Sequence, residues 1–194
     1  MNYLAHAFLS NNNPDLLVGN FIADHIKGNN FKGYSEHIQK GILLHRNIDT
    51  FTDNHPNFKL AKRVFYKGFE KHSGILIDIY FDYFLATNFT NYTPTSLNEF
   101  CINSYSIYQQ HQSLFPILSQ QFLHYVIKNN IYKAYGTIDG IEKVLFHLSN
   151  RIKHNIWLNE SISLFKQNEA ELYYYFSVFF EDAKRKFIEK DKDT

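Results

Sequence analysis

The sequence predicts an all-α fold, built as a single helical domain of about eight helices over residues 1–194. Only 8 Gly and 4 Pro occur in the chain, which is fewer than the many tight turns of a β-rich protein normally need. Apolar residues recur at helical spacing through most of the sequence, and no pair of segments has the pattern of a hairpin.

Among the first four predicted helices, the first and the third have clear start or stop signals. Gly28 follows the first helix, and Pro56 opens the third, which stops at Ser73-Gly74. The fourth lies in GILIDIYFDYFLA, where apolar residues point in every direction, so we expect it to be central and largely buried. These four helices are predicted over residues 15–27, 35–51, 56–72 and 75–88.

The last four predicted helices complete the domain. Ser96-x-x-Glu99 is a capping box that begins the fifth, and Pro116 starts the sixth. The eighth is long and ends in a charged tail that we expect to fray. The sixth, seventh and eighth are predicted over residues 116–130, 138–155 and 161–190.

Composition excludes several classes of protein. The chain has 20 Lys+Arg and 19 Asp+Glu, a formal net charge of +1, which gives no general affinity for nucleic acid. Cys101 is the single cysteine, so an intramolecular disulfide and a Cys-rich zinc site are excluded. We see neither a signal peptide nor a run of about 18 apolar residues. We therefore expect a cytoplasmic protein without a membrane span, and the sequence carries no signal of oligomeric state.

Two carboxylates interrupt the apolar fourth helix. Asp78 and Asp82 are four residues apart, so they lie one helical turn above each other. Burying a carboxylate costs several kcal/mol, of order 3–5 kcal/mol, unless it is paired, hydrogen-bonded or bound to a metal. The two residues are therefore either structural acceptors of hydrogen bonds or part of a metal site.

A second polar stripe runs along the second predicted helix. His45, Asp49 and Asp53 follow one another at intervals of four residues. Imidazole and carboxylate at this spacing can reach the same divalent cation and suit Mn, Fe or Zn. The alternatives are a solvated stripe and a hydrogen-bonded core histidine.

His6 and Asp24 are further polar residues within apolar segments, NYLAHAFLS and LLVGNFIADHIKG. Taken alone, each favours an ordinary core or solvated residue. Helices that pack around one core would bring such residues together into a His/Asp site, which is what metal-assisted hydrolysis of a phosphoester requires. The residues that would meet there are His6, Asp24, His45, Asp49, Asp78 and Asp82.

Four motifs carry a family resemblance. In chain order they are MNYLAHAFLS, GNFIADHIKG, GILLHRNIDTFTDNHP and ILIDIYFDYFLA. Together they resemble the acyl carrier protein phosphodiesterase family, also called the acyl-carrier-protein hydrolase family, a divergent relative of the HD-domain phosphohydrolases. The strong resemblance covers residues 1 to about 90.

The resemblance implies an HD-like helical fold and a hydrolase that uses a divalent metal, typically Mn²⁺, with Mg²⁺ or Fe²⁺ as alternatives. It also implies the reaction, which removes the 4′-phosphopantetheine arm from holo acyl carrier protein and leaves the apo protein. By motif, the implied metal ligands are Asp24, His45, Asp49 and Asp78, and the implied catalytic residues are Asp24, Asp82, His6 and Arg46.

Two features depart from the pattern that the resemblance implies. The chain contains no adjacent His-Asp pair, which is the usual HD signature, and Tyr83 stands where the family often has His. Ligands therefore cannot be assigned by analogy with ordinary HD enzymes. Arg151 is a second candidate, beside Arg46, to hold the phosphate.

The partner would be acidic, since acyl carrier proteins are acidic, and the third predicted helix offers a basic stripe. Lys59, Arg63, Lys67 and Lys71 are spaced by four residues, and Lys62 lies beside them. Like charges at this spacing repel, and an acidic partner would offset that cost. The alternative is an ordinary solvated helix face.

Two other functions remain open at this point. The same metal site could act on a nucleotide or another small phosphodiester. The chain could also be a non-catalytic helical binding module, in which the buried Asp and His residues are structural.

Overall fold

The computed structural model describes residues 2–152 and 156–189. Within these ranges the regular structure is helical and contains no strand, so the predicted all-α class is confirmed. One cluster of buried apolar side chains reaches from Leu4 near the start of the chain to Phe187 near its end. The HD-like arrangement and the single-domain boundary stay predictions.

Three N-terminal helices form the side of the molecule that holds the site. The side chain of Asn13 accepts hydrogen bonds from the backbone N–H groups of Asp15 and Leu16 and so caps the second helix. The predicted helix over 15–27 becomes a 3₁₀ turn after Ile22, and the short first helix was not predicted. The elements are α1 (Tyr3–Phe8), α2 (Pro14–Ile22), the 3₁₀ turn (Ala23–His25) and α3 (Glu36–Asn54).

Two glycines bring α2 and α3 into backbone contact. A Cβ atom on Gly19 would overlap the carbonyl oxygen of Ile38. A Cβ atom on Gly41 would lie 2.5 Å from the carbonyl oxygen of Leu16 and 2.9 Å from the Cα atom of Gly19. The two backbones can approach this closely only because neither residue has a side chain.

The third predicted helix is wrong as a continuous element. The α-helix ends at Val64, and Lys67 and Gly68 leave the helical region of backbone conformation, with φ of 97° at Gly68. Glycine adopts this left-handed conformation without steric cost. The next long helix begins at Ser73, where the prediction placed a stop. The elements are α4 (Pro56–Val64), α5 (Tyr66–Phe69), a 3₁₀ turn (Glu70–His72) and α6 (Ser73–Thr87).

The fourth predicted helix, now α6, is the centre of the core, as expected. Phe81 and Leu85 are fully or almost fully buried on it, and the Tyr80 ring stacks on Phe165 at 4.2 Å between centroids. Aromatic pairs of this kind add to the stabilisation that burial provides. Helix α6 therefore holds the N-terminal helices and the C-terminal helices around one core.

In the C-terminal half, the predicted starts of helices agree with the structure more closely than the predicted ends do. The capping box of Ser96 and Glu99 is present. The last predicted helix is interrupted at Asn168, whose side-chain amide donates to the carbonyl oxygen of Leu164 and ends the preceding helix. The elements are α7 (Leu97–Gln110), α8 (Ile117–Lys128), α9 (Ile131–Ala134), α10 (Ile138–Ser149), α11 (Ser161–Gln167), α12 (Glu169–Lys184) and a π-helical turn (Arg185–Glu189).

Two predictions fall partly outside the described residues. These are the end of the seventh predicted helix, at residues 153–155, and the charged tail at residues 190–194. Across the described part of the chain, no helix combines the length and apolar content that crossing a bilayer requires.

Candidate metal centre

Four predicted side chains meet where α1, α2 and α3 come together. His6 comes from α1, Asp24 from the turn after α2, and His45 and Asp49 from successive turns of α3. The Nε2 atom of His45 lies 3.1 Å from Asp24 Oδ1 and 3.2 Å from Asp49 Oδ2. The Nε2 atom of His6 lies 3.1 Å from Asp49 Oδ1. We refer to these four residues as the His/Asp cluster.

One amide orients both imidazoles of the His/Asp cluster. The rings of His6 and His45 stack with centroids 4.2 Å apart and planes 25° from parallel. The Oδ1 atom of Asn20 lies 2.9 Å from the Nδ1 atom of each ring. An amide oxygen can only accept, so each Nδ1 carries a proton and donates it to Asn20. In neutral imidazoles this tautomer leaves the Nε2 lone pairs directed at the carboxylates.

Asn20 is itself fixed in place. It is almost fully buried, and its Nδ2 group donates to the backbone oxygen of His6 at 2.9 Å and to Ser10 Oγ at 3.1 Å. Sequence reasoning did not find this residue. The signal was present, because Asn20 is a polar side chain within the apolar helix LLVGNFI, the same kind of interruption that singled out Asp78.

The charges of the His/Asp cluster are strongly coupled. Burial lowers the pKa of His45, but hydrogen bonds and charges from Asp24 and Asp49 outweigh burial and raise it to about 9. The hydrogen bond from His45 lowers the pKa of Asp24. Burial raises the pKa of Asp49, yet the hydrogen bonds from His45 and His6 hold it well below its usual range. Burial lowers the pKa of His6. The two carboxylates therefore stabilise a positive charge at the Nε2 atom of His45.

The donor set suits a divalent cation. One possible ligand atom from each of His6, His45 and Asp49 lies within 4.8 Å of the other two, and imidazole with carboxylate is a ligand set for Mn, Fe or Zn. The imidazole side chains are 7% and 9% exposed, whereas Asp24 and Asp49 are 49% and 45% exposed. The site is thus anchored in the core on its histidine side and open to solvent on its carboxylate side.

Asp82 lies away from this group and anchors α1. Its carboxylate is fully buried and accepts hydrogen bonds from the backbone N–H groups of Leu4 at 2.8 Å and Ala5 at 3.0 Å. Burial raises its pKa to about 8, while the two N–H groups act in the opposite direction. Asp82 therefore influences the His/Asp cluster through the position of α1, which carries His6.

Three other predicted residues are not among the groups that meet in the His/Asp cluster. Asp78 is half-buried on α6, one turn before Asp82. The possible ligand atoms that lie close together belong to His6, His45 and Asp49, and Asp78 is not among these residues. Arg46 donates to the carbonyl oxygens of Ile26 and Gly28. Arg151 lies over the Tyr125 ring at 5.2 Å. Their roles as a ligand and as phosphate contacts stay predictions.

Four of the five basic residues are exposed, but they do not form one stripe, and the predicted continuous stripe is wrong. Lys59 and Arg63 lie on α4 and are exposed, while Lys62 is half-buried with its ammonium group 5.4 Å from the centre of the Phe58 ring. The break after Val64 takes the last two residues of the stripe, Lys67 and Lys71, off this helix.

Comparisons with known proteins agree on one family. Residues 1–183 match the family model described as acyl carrier protein phosphodiesterase. A protein of that name from Photorhabdus laumondii is 30% identical over 192 residues, covering 98% of this chain and 97% of its own. Relatives with the same name from Yersinia enterocolitica and Pectobacterium atrosepticum are each 32% identical over 152 residues, 78% of this chain and 79% of theirs. No solved structure matches the chain significantly. By both comparisons of sequence, the chain belongs to the acyl carrier protein phosphodiesterase family.

Proposed function

We propose that this chain is a divalent-metal phosphodiesterase that removes the 4′-phosphopantetheine arm from holo acyl carrier protein. The proposal of a metal rests on one observation: the two imidazoles are both hydrogen-bonded to Asn20, and both of their Nε2 atoms face carboxylates. The relatives that the chain matches are named for acyl carrier protein as their substrate, and this supports the choice of substrate.

The ion would be held by His6, His45 and Asp49, with Asp24 as a fourth candidate. Their donor set fits Mn²⁺, which the family resemblance also implies, and Fe²⁺ fits as well. When bound, the ion would neutralise phosphate charge and lower the pKa of a water molecule. Asp78 and Arg46 stay candidates for an additional ligand and an additional phosphate contact.

The protein residues would orient the reacting groups. The open carboxylate side of the His/Asp cluster lets a phosphodiester on the surface of a folded protein approach Asp24 and Asp49. The carboxylate of Asp24, on the open side of the His/Asp cluster, can accept a proton from an attacking water. In the reaction, a bond forms between water oxygen and phosphorus, and the bond from phosphorus to the serine oxygen breaks. The serine oxygen takes a proton, and phosphopantetheine leaves as a phosphomonoester.

Helix α4 would contact the acidic partner. Its sequence, PNFKLAKRV, contains three basic residues and no acidic one. Lys59 and Arg63 are exposed and one turn apart, so an acidic protein would relieve their repulsion and associate faster. The cytoplasmic location predicted from the sequence stays a prediction.

One assay separates the three functions that the sequence left open. The purified chain is incubated with Mn²⁺ and holo acyl carrier protein, and the protein product is weighed by mass spectrometry. We expect loss of the phosphopantetheine mass. Retention of that mass together with cleavage of a nucleotide or small phosphodiester would favour the other hydrolase. No cleavage and no stoichiometric metal would favour a binding module.

The variant Asp49→Ala tests the site itself. We expect it to lose metal binding and hydrolysis while its circular dichroism stays helical, because the residue is 45% exposed and its removal leaves no large cavity. An active Asp49→Ala variant that binds Mn²⁺ normally would contradict the proposed site.

A further inference from the structure

A cavity of about 100 Å³ lies between α1, α6, α8 and α10. Its walls are mostly apolar and come from all four helices. Helix α6 contributes Ile75 and Ile79, α8 contributes Phe122, and α10 contributes Val144. The cavity opens to solvent, and a concave, mostly apolar pocket beside a candidate active site is the usual form of a ligand site.

Tyr3 joins this cavity to the His/Asp cluster. The same side chain lines the cavity and also the small recess that contains His6, Asp24 and His45. Burial raises the pKa of Tyr3; the negative charge of Asp24 raises it further, and the positive charge of Arg151 opposes both. Both charged groups therefore lie within electrostatic reach of one phenol, with Asp24 in the cluster and Arg151 at the edge of the cavity.

The rim of the cavity is polar. Asn2, His147 and Arg151 line it together with the apolar walls, and His147 and Arg151 are exposed. An amide, an imidazole and a guanidinium can bind hydroxyl, amide and phosphate oxygens. The combination suits a molecule that carries oxygen-rich polar groups beside an apolar segment.

Polarity selects between the groups on a phosphodiester. The walls of the cavity are mostly apolar apart from the rim, so the ring nitrogens of a nucleotide base would lose their hydrogen bonds to water there without replacement. A short branched hydrocarbon segment needs no such partners. In holo acyl carrier protein, such a segment with a gem-dimethyl group directly follows the phosphate.

We infer that this cavity binds the branched pantoyl segment of the phosphopantetheine arm, with Arg151 at the junction beside the phosphate. The inference rests on the proposed function and adds to it the direction in which the substrate lies. The arm enters the cavity past Tyr3, and the carrier protein stays outside on the carboxylate side of the His/Asp cluster.

Filling the cavity tests the inference. Val144→Phe adds four carbon atoms to its wall, and Ile75→Trp, at a 37% exposed position, narrows its rim with less risk to folding. We expect either variant to lower the ratio of kcat/KM for holo acyl carrier protein to kcat/KM for bis(p-nitrophenyl) phosphate about tenfold, which corresponds to losing the burial of about two methyl groups. Val178→Phe is the matched control, at a half-buried valine of α12 that does not line the cavity, and should leave the ratio unchanged.

A binding measurement separates failure of this inference from failure of the proposed function. Calorimetry on the Mn²⁺-loaded chain compares 4′-phosphopantetheine with ethyl phosphate, which lacks the arm. We expect the first to bind about tenfold more tightly and both cavity variants to abolish the difference. Equal binding of the two compounds by the unmodified chain, or an unchanged kinetic ratio in both cavity variants, would overturn the inference. Absence of holo acyl carrier protein cleavage with the binding difference intact would instead overturn the proposed function.

Discussion

A single buried amide, Asn20, controls the chemistry of two imidazoles. Its one oxygen accepts from both Nδ1 atoms at 2.9 Å, so both rings present the same face to Asp24 and Asp49. Partners that fix the far nitrogen of a metal-binding histidine set its tautomer and its orientation. One oxygen can reach both rings because the stacked imidazoles are only 4.2 Å apart.

We expect Asn20→Ala to weaken Mn²⁺ binding about 10- to 100-fold, the usual effect of losing such a partner. Calorimetric titration with Mn²⁺ measures the affinity, and ¹⁵N spectra of the metal-free imidazoles should show a mixture of tautomers in place of one. Asn20→Asp keeps an acceptor oxygen and should recover part of the affinity. Ser10→Ala removes a partner of the Asn20 amide nitrogen and a hydrogen bond to the backbone oxygen of His6 but leaves the Asn20 oxygen in place, and it serves as the control. Equal losses in Ser10→Ala and Asn20→Ala would reduce Asn20 to a packing role.

The ion pair of His45 with its carboxylates predicts a pH dependence of the metal-free chain. The folded pKa of His45, about 9, lies above the ordinary value of 6.5. A histidine with a raised folded pKa contributes stability that is complete below pH 6.5 and is lost as the pH rises through 9. The Tm of the metal-free chain should therefore fall over this range relative to the Tm of His45→Gln. Excess Mn²⁺ should remove the fall, since the ion replaces the proton. Parallel curves for the two metal-free proteins would show that the pKa is not raised.

Four members of the site were predictable from sequence because each breaks an apolar helical pattern with a group that needs a partner. His6, Asp24, His45 and Asp49 all meet that criterion, and all four converge. Asp82 meets it equally, yet it binds the backbone of α1. The pattern identifies a buried polar group but not its partner, because a peptide N–H and a metal ion satisfy a carboxylate equally well.

At the level of elements, the close approach of α2 and α3 positions the site. Asn20 follows Gly19 directly on α2, and His45 lies one turn after Gly41 on α3. Any side chain at either glycine would meet backbone atoms of the other helix, which cannot rotate away. The relative position of the Asn20 amide on α2 and the His45 imidazole on α3 therefore depends on the absence of a Cβ atom at both glycines.

We expect Gly19→Ala and Gly41→Ala each to destabilise the fold by about 1–3 kcal/mol, the usual cost of overpacking, and to weaken Mn²⁺ binding as well. The direction of the change in stability is informative, because Ala in place of Gly within a helix ordinarily stabilises the helix by about 0.5–1 kcal/mol. Urea unfolding and calorimetry measure the two effects. Gly33→Ala is the control, at an exposed position where an added Cβ meets nothing within 4 Å, and should change neither quantity. Stabilisation by either helix variant would contradict the close packing.

Helix starts were easier to predict than helix interruptions. Pro56 and the Ser96 capping box act through local bonds that a short motif specifies. Gly68 and Asn168 interrupt predicted helices instead. Tertiary packing decides whether such a residue bends, ends or merely weakens a helix, and a single sequence does not show that packing.

For the whole molecule, the all-α class followed from composition and periodicity, but the distribution of charge did not. The net charge of the whole chain is +1, and this value does not reveal that every charged residue on α4 is basic. The break at Gly68 shortens the basic surface to Lys59, Lys62 and Arg63, with Lys67 and Lys71 on separate turns. Association with an acidic protein depends on such a local field rather than on net charge.

The double variant Lys59→Glu/Arg63→Glu tests this surface. It changes the charge of α4 by four units without removing a buried group, since both side chains are exposed. We expect KM for holo acyl carrier protein to rise about tenfold at low ionic strength and the difference from the unmodified chain to shrink at 0.5 M salt, where the Debye length is only about 4 Å. The matched control is Lys128→Glu/Lys166→Glu, which makes the same change in charge on α8 and α11 at exposed positions. A specific docking surface requires the α4 variant to be affected more strongly than the control. Equal effects in the two double variants would show that the partner responds only to the total charge of the molecule, and α4 would then be an ordinary solvated helix.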